Sequence, residues 1–345
     1  MRIFKVNWYP PQSEELERLF GGLVEFDIDP AREDADYRID PERCRAADAL
    51  INCSATHRLP AAVDDFARCR IVVREGVGYD NLDLEAWGAR GVPVCNVPDY
   101  GTTEVADHAI ALMLALTRGT ATYGEALKRD PAGGWRFDAA PLIRRHRHAT
   151  FGVVGLGRIG LAAARRAAAF DMRVVFYDPY LPSGMELALG FERLHALTDL
   201  MAASDVVSVH TPLNEETRGF VGAAAFAAAK PGLVLVNTAR GPIVDLDALH
   251  AALRDGRIAG AGLDVLPREP ADAAHPLIHA YAAREPWLEG RLVLTPHAAF
   301  YSPDAMRDMQ RKAVEVIVAY IRDGRLTNCV NRPFLKAGAP IRASA

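Results

Sequence analysis

The segment Thr150-Phe-Gly-Val-Val-Gly155-Leu-Gly157-Arg-Ile-Gly160 constrains the fold of this chain more than any other. A short apolar run feeds directly into GxGxxG, and the helix-forming stretch Leu161-Ala-Ala-Ala-Arg-Arg-Ala-Ala-Ala-Phe170 follows at once. The glycine pattern alone is weak, but between a strand and a helix it specifies a βαβ unit that grips a dinucleotide pyrophosphate. Gly155 permits the tight turn, and Gly157, followed by Arg158 and Ile159, lets backbone approach the phosphates. Gly160 allows close packing of helix on strand, and the phosphates then face free helix N–H groups. Eighteen residues after Gly160, the next apolar run ends in Asp178. A carboxylate there accepts from both ribose hydroxyls and repels a 2′-phosphate, which favours NAD over NADP. Its ordinary alternative is a turn cap before Pro179, and FAD remains a competing dinucleotide.

Around this element the signals alternate. Strand-like runs at Thr150 to Val154, Arg173 to Asp178, Asp205 to His210, Leu233 to Asn237, Gly260 to Val265 and Leu292 to Thr295 are interleaved with helical ones at Leu161 to Phe170 and Leu246 to Arg254. That order predicts an α/β fold with a Rossmann-type, doubly wound parallel sheet. Residues 1 to about 96 form a smaller α/β unit with strands at Ile3 to Trp8, Ala49 to Cys53, Arg70 to Val73 and Val92 to Asn96. From Thr102, an N-cap candidate, apolar residues recur at helical spacing to Arg118. Lys128 to His148 is irregular and ends in the basic run Arg144-Arg145-His146-Arg147-His148, which reads as a solvated surface arm rather than a metal or phosphate site. A last helix, about Pro303 to Arg322, has no strand after it and is expected to pack on the N-terminal unit.

Composition narrows the partners. At 345 residues and 50% hydrophobic, two buried cores are expected, and a formal charge of −4 gives no case for nucleic acid or an anionic membrane. No run approaches the roughly 20 apolar residues of a membrane span, and the N-terminus lacks a signal-peptide apolar region, so a soluble, unprocessed protein is expected. The five cysteines are scattered without CxxC spacing, indicating neither a disulfide framework nor zinc; reduced thiols in cytoplasm fit, and no metal is expected. There is no HExxH and no nucleophile elbow.

Three more segments end strands of the large sheet, where such folds bind ligands: Val236-Asn-Thr-Ala-Arg240-Gly, Gly262-Leu-Asp264-Val-Leu-Pro-Arg-Glu269-Pro and Leu294-Thr-Pro-His297-Ala-Ala-Phe300. With Gly76-Val-Gly-Tyr-Asp-Asn81 and the GxGxxG element, they resemble the D-isomer-specific 2-hydroxyacid dehydrogenase family over about residues 45 to 325. The tail His297-Ala-Ala-Phe-Tyr-Ser302 looks most like the branch containing the C-terminal binding protein co-repressors. The chemistry agrees. Oxidising an alcohol beside a carboxylate needs a base, a cation for the carboxylate and a nicotinamide. His297 is the acid/base candidate, Glu269 the group that orients the ring and stabilises its charged form, and Arg240 the planar fork for the carboxylate. Taken singly, Arg240 and Glu269 read as solvated loop charges and His297 as a helix cap; the family pattern decides against that.

The resemblance implies further roles. Backbone N–H groups around Val77 and Gly78 would hold the substrate carboxylate, Asp264 would contact the nicotinamide amide, and the loop from His210, Thr211 and Pro212 would line the adenosine half, with Thr102 and Thr238 as lesser cofactor contacts. Residues 1–98 and 299–345 would form a flavodoxin-like substrate domain and 99–298 the NAD domain, closing on each other about connectors near Pro98 and Pro296. The arm and the Thr102 helix would pair two chains as a homodimer. The insert Ala271 to Arg291 is longer than many relatives carry and is expected to shape the pocket or a subunit contact. Phe300 replaces the small residue of many relatives, so the pocket is expected to favour an apolar or planar side chain. The competing function is an NAD(H)-sensing interaction module; within enzymes, glyoxylate or hydroxypyruvate reduction and 3-phosphoglycerate oxidation remain open.

Overall fold

The computed structural model describes residues 1–6, 13–29, 38–53, 59, 61–336 and the backbone of 342–343. They divide into two compact units, Met1–Gly101 with Ser302–Ala345, and Thr102–Tyr301.

The first unit holds a five-stranded sheet of β1 (Arg2–Val6), β2 (Glu25–Asp29), β3 (Ala49–Asn52), β4 (Val72–Arg74) and β5 (Val94–Asn96). All pairings are parallel and the order is β2-β1-β3-β4-β5, the flavodoxin-like arrangement. Strands β1, β3, β4 and β5 are largely apolar on both faces because both are covered, whereas the edge strand β2 carries Glu25, Asp27 and Asp29. Ile3, Ile51 and Val73 meet Ala313, Val314 and Ile317 of the helix Pro303–Asp323, while Phe4, Leu50, Val72 and Val94 pack with Phe66 and Trp87 on the other side. This alternation is the two-residue period of a strand. The run read as far as Trp8 is strand through Val6; Asn7 and Trp8 lie outside the described residues.

The second unit holds seven parallel strands: β6 (Thr150–Val154), β7 (Arg173–Tyr177), β8 (Glu192–Arg193), β9 (Val206–Val209), β10 (Val234–Asn237), β11 (Gly260–Leu263) and β12 (Leu292–Leu294). The order β12-β11-β10-β9-β6-β7-β8 reverses between β6 and β9, which makes that point the ligand crevice of a doubly wound sheet. The helix Arg158–Ala168 packs its small face, Gly160, Ala163, Ala164 and Ala167, onto the sheet beside the helix Thr102–Thr117. Thr102 is the first residue of that second helix, not its cap.

One expectation needs correction. The basic run is not wholly solvated: residues alternate, so that Arg144 donates to Asp205 O at 3.1 Å and to Gly232 O, and His146, 9% exposed, bonds Thr117 Oγ1 at 2.7 Å. Thr117 gives its own proton to Met113 O, so the ring donates to the hydroxyl. The segment before it is irregular from Asp130 onward, as expected, with the helix Thr120–Arg129 leading into it. Residues of the insert contribute to the core: its helix Pro276–Ala282 buries Leu277, Ile278 and Ala280, and Arg291 ties four backbone carbonyls, those of Leu253, Ile258, Ala259 and Trp287. Among the described residues no helix is long and apolar enough to cross a membrane, and no group of three or more His, Cys, Asp or Glu is placed to hold a metal.

Candidate active site

Because every strand of the second unit runs the same way, the loops after β6, β7, β9, β10, β11 and β12 share one edge. Gly155 turns there with φ +86°, and a Cβ on it would meet Thr211 Cγ2 at 2.8 Å. A Cβ on Gly160 would collide with Gly155 O, whereas one on Gly157 would point into open space. Thus Gly155 and Gly160 are required by the protein's own packing, and Gly157 is not. Gly157 precedes the helix without any side-chain cap, leaving the first N–H groups of Arg158 onward unclaimed by a cap. The Thr211 and Thr238 hydroxyls are buried and unpartnered. A bare cradle, uncapped N–H groups and two orphaned hydroxyls at the same sheet edge fit a bound dinucleotide.

Asp178 closes one side. Its Oδ2 accepts from Leu156 N at 2.9 Å, joining the β7 end to the glycine turn, and its Oδ1 accepts from Tyr180 N at 3.0 Å. The turn-cap reading and the ribose reading are therefore compatible, since a carboxylate oxygen has a second lone pair. On the other side His210 Nε2 pairs with Ser208 Oγ at 2.8 Å, and burial pushes the ring down to about 4, so it is neutral near pH 7. Pro212 is exposed beyond it.

The loop after β10 is shaped by Asn237, whose Nδ2 donates to Arg240 O at 2.9 Å and whose Oδ1 accepts from Ala239 N at 3.0 Å. Arg240 is half-buried and donates to Ala239 O at 2.8 Å. Gly241 lies so close to Leu266 and Pro267 that any Cβ would strike their backbone. That contact draws the Arg240 loop against the one carrying Glu269. Glu269 bridges its own loop and the next: Oε1 accepts from Leu266 N at 2.9 Å and Oε2 lies 2.7 Å from His297 Nδ1.

His297 has φ +53°, a conformation unusual for a residue with a Cβ, so its loop must be held firmly. Asp264 supplies the hold. This residue, 2% exposed, accepts from Ala298 N at 2.8 Å, Ala299 N at 3.0 Å and Thr295 Oγ1 at 2.6 Å, while its carbonyl takes the His297 N–H at 2.8 Å. Asp264 thereby positions the histidine loop. Since Thr295 gives its proton to Asp264, His108 Nε2, 3.0 Å away, must carry a hydrogen and donate to Thr295. The ring of Phe300 stands edge-on to His297, centroids 6.1 Å apart at 82°.

In the first unit, Val77 and Gly78 follow Gly76 (φ +147°) and are held from β5: Asn96 Nδ2 donates to Val77 O at 2.7 Å and Val97 N to Gly76 O at 3.0 Å. Below that loop lies a buried cluster that the sequence reading missed. Lys5 Nζ pairs with Glu75 Oε1 at 3.0 Å, both side chains at most 2% exposed, and Cys53 Sγ donates to Glu75 Oε2 at 2.6 Å. Asn237, His108, Thr295 and Asn96 were likewise missed. Asn237 and Thr295 adjoin strand ends already singled out, so their positions carried a signal; His108, on a helix, carried none.

A family model for the NAD binding domain of D-isomer specific 2-hydroxyacid dehydrogenases matches residues 110–299. The chain is 38% identical over 303 residues to a glyoxylate reductase of Korarchaeum cryptofilum, covering 87% of each. It is 32% identical over 292 residues to the D-3-phosphoglycerate dehydrogenase of Methanocaldococcus jannaschii, covering 85% of this chain and 53% of that protein, so it spans about half the length of that relative. Among solved structures it is similar to an NADPH-dependent glyoxylate/hydroxypyruvate reductase of Sinorhizobium meliloti in complex with NADP and malonate, with a TM-score of 0.81 and 32% identity over 100% of this chain and 99% of that one.

Proposed function

Because the chain belongs to the D-isomer-specific 2-hydroxyacid dehydrogenase family, we propose that it interconverts a small D-2-hydroxy acid and its 2-oxo acid with NAD(H) at the loops described above. The observation that carries this reading is the His297–Glu269 pair at 2.7 Å. With Nδ1–H donated to Glu269, Nε2 is the ring nitrogen left to exchange a proton with substrate oxygen. In reduction Nε2–H protonates the carbonyl oxygen, and Glu269 stabilises the imidazolium that precedes this transfer. Arg240 takes the carboxylate with its planar fork, and the Val77 and Gly78 N–H groups are the proposed second set of carboxylate donors. A nicotinamide bound beside these groups supplies or accepts the hydride. Arg158, Ile159, His210, Thr211, Pro212, Thr238 and Thr102 are the proposed contacts along the dinucleotide.

Asp178, followed by Pro179 and Tyr180 rather than a basic residue, supports NAD over NADP as the preferred cofactor. The glyoxylate-reducing relatives favour a short acid, and the edge of Phe300 against His297 favours one whose side chain is apolar or planar. Purified protein, NADH and a series of 2-oxo acids from glyoxylate to aromatic pyruvates test this by loss of NADH absorbance, with NADPH as competitor and His297→Gln as control. Turnover by the parent chain and not by the variant supports the enzyme; NADH binding without turnover of any acid replaces it with an NAD(H)-sensing module like the co-repressors.

Trp135 and Phe137, 80% and 93% exposed on the segment after Thr120–Arg129, support the homodimer, because paired aromatic rings facing water are a poor monomer surface. Light scattering of the parent chain and of Trp135→Ser/Phe137→Ser tests it: the variant should run at half the parent mass. The free cysteines fit a reducing, cytoplasmic setting.

A further inference from the structure

Cys95 and Cys329, 234 positions apart in the chain, face each other across an isolated antiparallel bridge in the first unit. The backbone bonds flank the pair rather than join it: Asn96 N donates to Asn328 O at 3.2 Å and Val330 N to Val94 O at 2.8 Å. This is the narrow, non-hydrogen-bonded register, in which Cα atoms lie about 4.5 Å apart, at the near end of the range a disulfide spans. Both cysteines are free thiols, each shifting the other's ionisation, and Cys329 Sγ donates to Asn331 Oδ1 at 3.3 Å.

We propose that Cys95 and Cys329 form a peroxide-sensitive dithiol that closes reversibly into an intramolecular disulfide. Cys329 is the attacking sulfur because it is partly exposed, whereas Cys95 is fully buried in β5. The hydrogen bond from Cys95 holds the Cys329 thiol down at about 7, against the opposing effect of burial and with help from the Asn331 backbone and Arg332. The oxidant is a hydroperoxide. Cys329 thiolate attacks one peroxide oxygen, the O–O bond breaks, and the leaving hydroxide takes a proton and departs as water, leaving a sulfenic acid. Cys95 sulfur then attacks the sulfenic sulfur; the S–S bond forms, the S–O bond breaks, and hydroxide leaves with the Cys95 proton as a second water. Two thiols and one hydrogen peroxide thus give one disulfide and two waters, with both electrons coming from sulfur.

The remaining cysteines lack this arrangement. Burial pushes Cys44 and Cys69 up to about 12 and Cys53 well above the usual thiol range, so they stay protonated and slow to react. A cross-strand bond at so short a span is also easily reduced, which suits reversal by a thiol. Its effect is local: it staples the chain after the helix Pro303–Asp323 onto β5, one residue before Asn96, the side chain that holds Val77 O.

The full-length protein is treated with a small excess of hydrogen peroxide, blocked with iodoacetamide under denaturing conditions and mapped by mass spectrometry. Two of the five thiols should be lost, in one peptide linking the Cys95 and Cys329 segments, and dithiothreitol should restore both. Cys329→Ser, at a partly exposed position, should retain its four remaining thiols under the same dose, whereas Cys95→Ala should form no intramolecular disulfide and stop at a Cys329 sulfenic acid that dimedone traps. Five free thiols after treatment, a link to any other cysteine, or a Cys329 sulfinic acid with Cys95 still free would overturn the proposal.

Discussion

His297 Nδ1 lies 2.7 Å from Glu269 Oε2, and the second carboxylate oxygen of Glu269 is tied at 2.9 Å to Leu266 N, in its own loop. The glutamate therefore cannot turn away from the ring without giving up a backbone donor. The arrangement fixes both the tautomer and the orientation of the histidine before any substrate arrives.

Removing the proton donor should cost on the order of 10²- to 10⁴-fold in kcat. His297→Gln tests the chemistry, and His297→Asn should keep the loop better, because asparagine tolerates the positive φ found here. Glu269→Gln should lower kcat by a smaller factor with NADH affinity intact, and its pH–rate profile should change shape. Steady-state rates and NADH titration check both; a Glu269→Gln enzyme with the parent pH profile would remove the orienting role.

The two ends of the glycine signature should separate in a single experiment. Gly157→Ala adds a methyl to open space, so the ligand-free protein should melt within a few degrees of the parent while NADH affinity falls about tenfold or more. Gly160→Ala forces its methyl into Gly155 O and should lose about 1–3 kcal/mol of stability. Thermal melts with and without NADH distinguish the two, and equal destabilisation by both variants would contradict the cradle.

The parts of this site that the sequence announces are those whose residue type is dictated by local geometry. A strand feeding GxGxxG can be read because Gly155 and Gly160 answer to backbone collisions within a few residues of themselves. Asp178, Arg240 and His297 stand at strand ends, and a parallel sheet brings such ends together whatever lies between. His146 was misread because alternate burial in a basic run leaves no mark in composition. β8, two polar residues long, was missed because it has no apolar period to display. The insert helix and the Lys5–Glu75 pair were missed for another reason: their meaning lies in partners distant in the chain, which only the fold supplies.

His210 makes stability depend on pH in a defined window. Burial lowers its folded value to about 4 from 6.5, so the unfolded chain binds a proton before the folded one does as pH falls. The resulting stability is complete above pH 6.5 and is lost as pH falls from there to about 4, by at most about 3 kcal/mol. In urea titrations at several pH values, His210→Gln should show a shallower slope than the parent across that interval. Identical slopes would show that the ring is hydrated in the folded protein.

The Lys5–Glu75 pair should behave as a unit. Burial alone would push the Lys5 ammonium down, and the Glu75 carboxylate at 3.0 Å more than offsets that, with smaller help from Cys53, so the group is held above its ordinary value. Its contribution is thus fully present below about pH 10.5 and is lost only as pH rises through the higher folded value. Removing one partner strands a charge that is at most 2% exposed, and Lys5→Met or Glu75→Gln alone should cost about 3–5 kcal/mol. Replacing both removes the stranded charge, so Lys5→Met/Glu75→Gln should lose much less than the sum of the single changes. Urea unfolding of the four proteins in the mutant cycle measures the coupling directly. Because Glu75 immediately precedes the Gly76–Gly78 turn, the single variants should also raise KM for the acid more than they lower kcat. Additive losses with an unchanged KM would mean that the pair neither stabilises as a unit nor positions that turn.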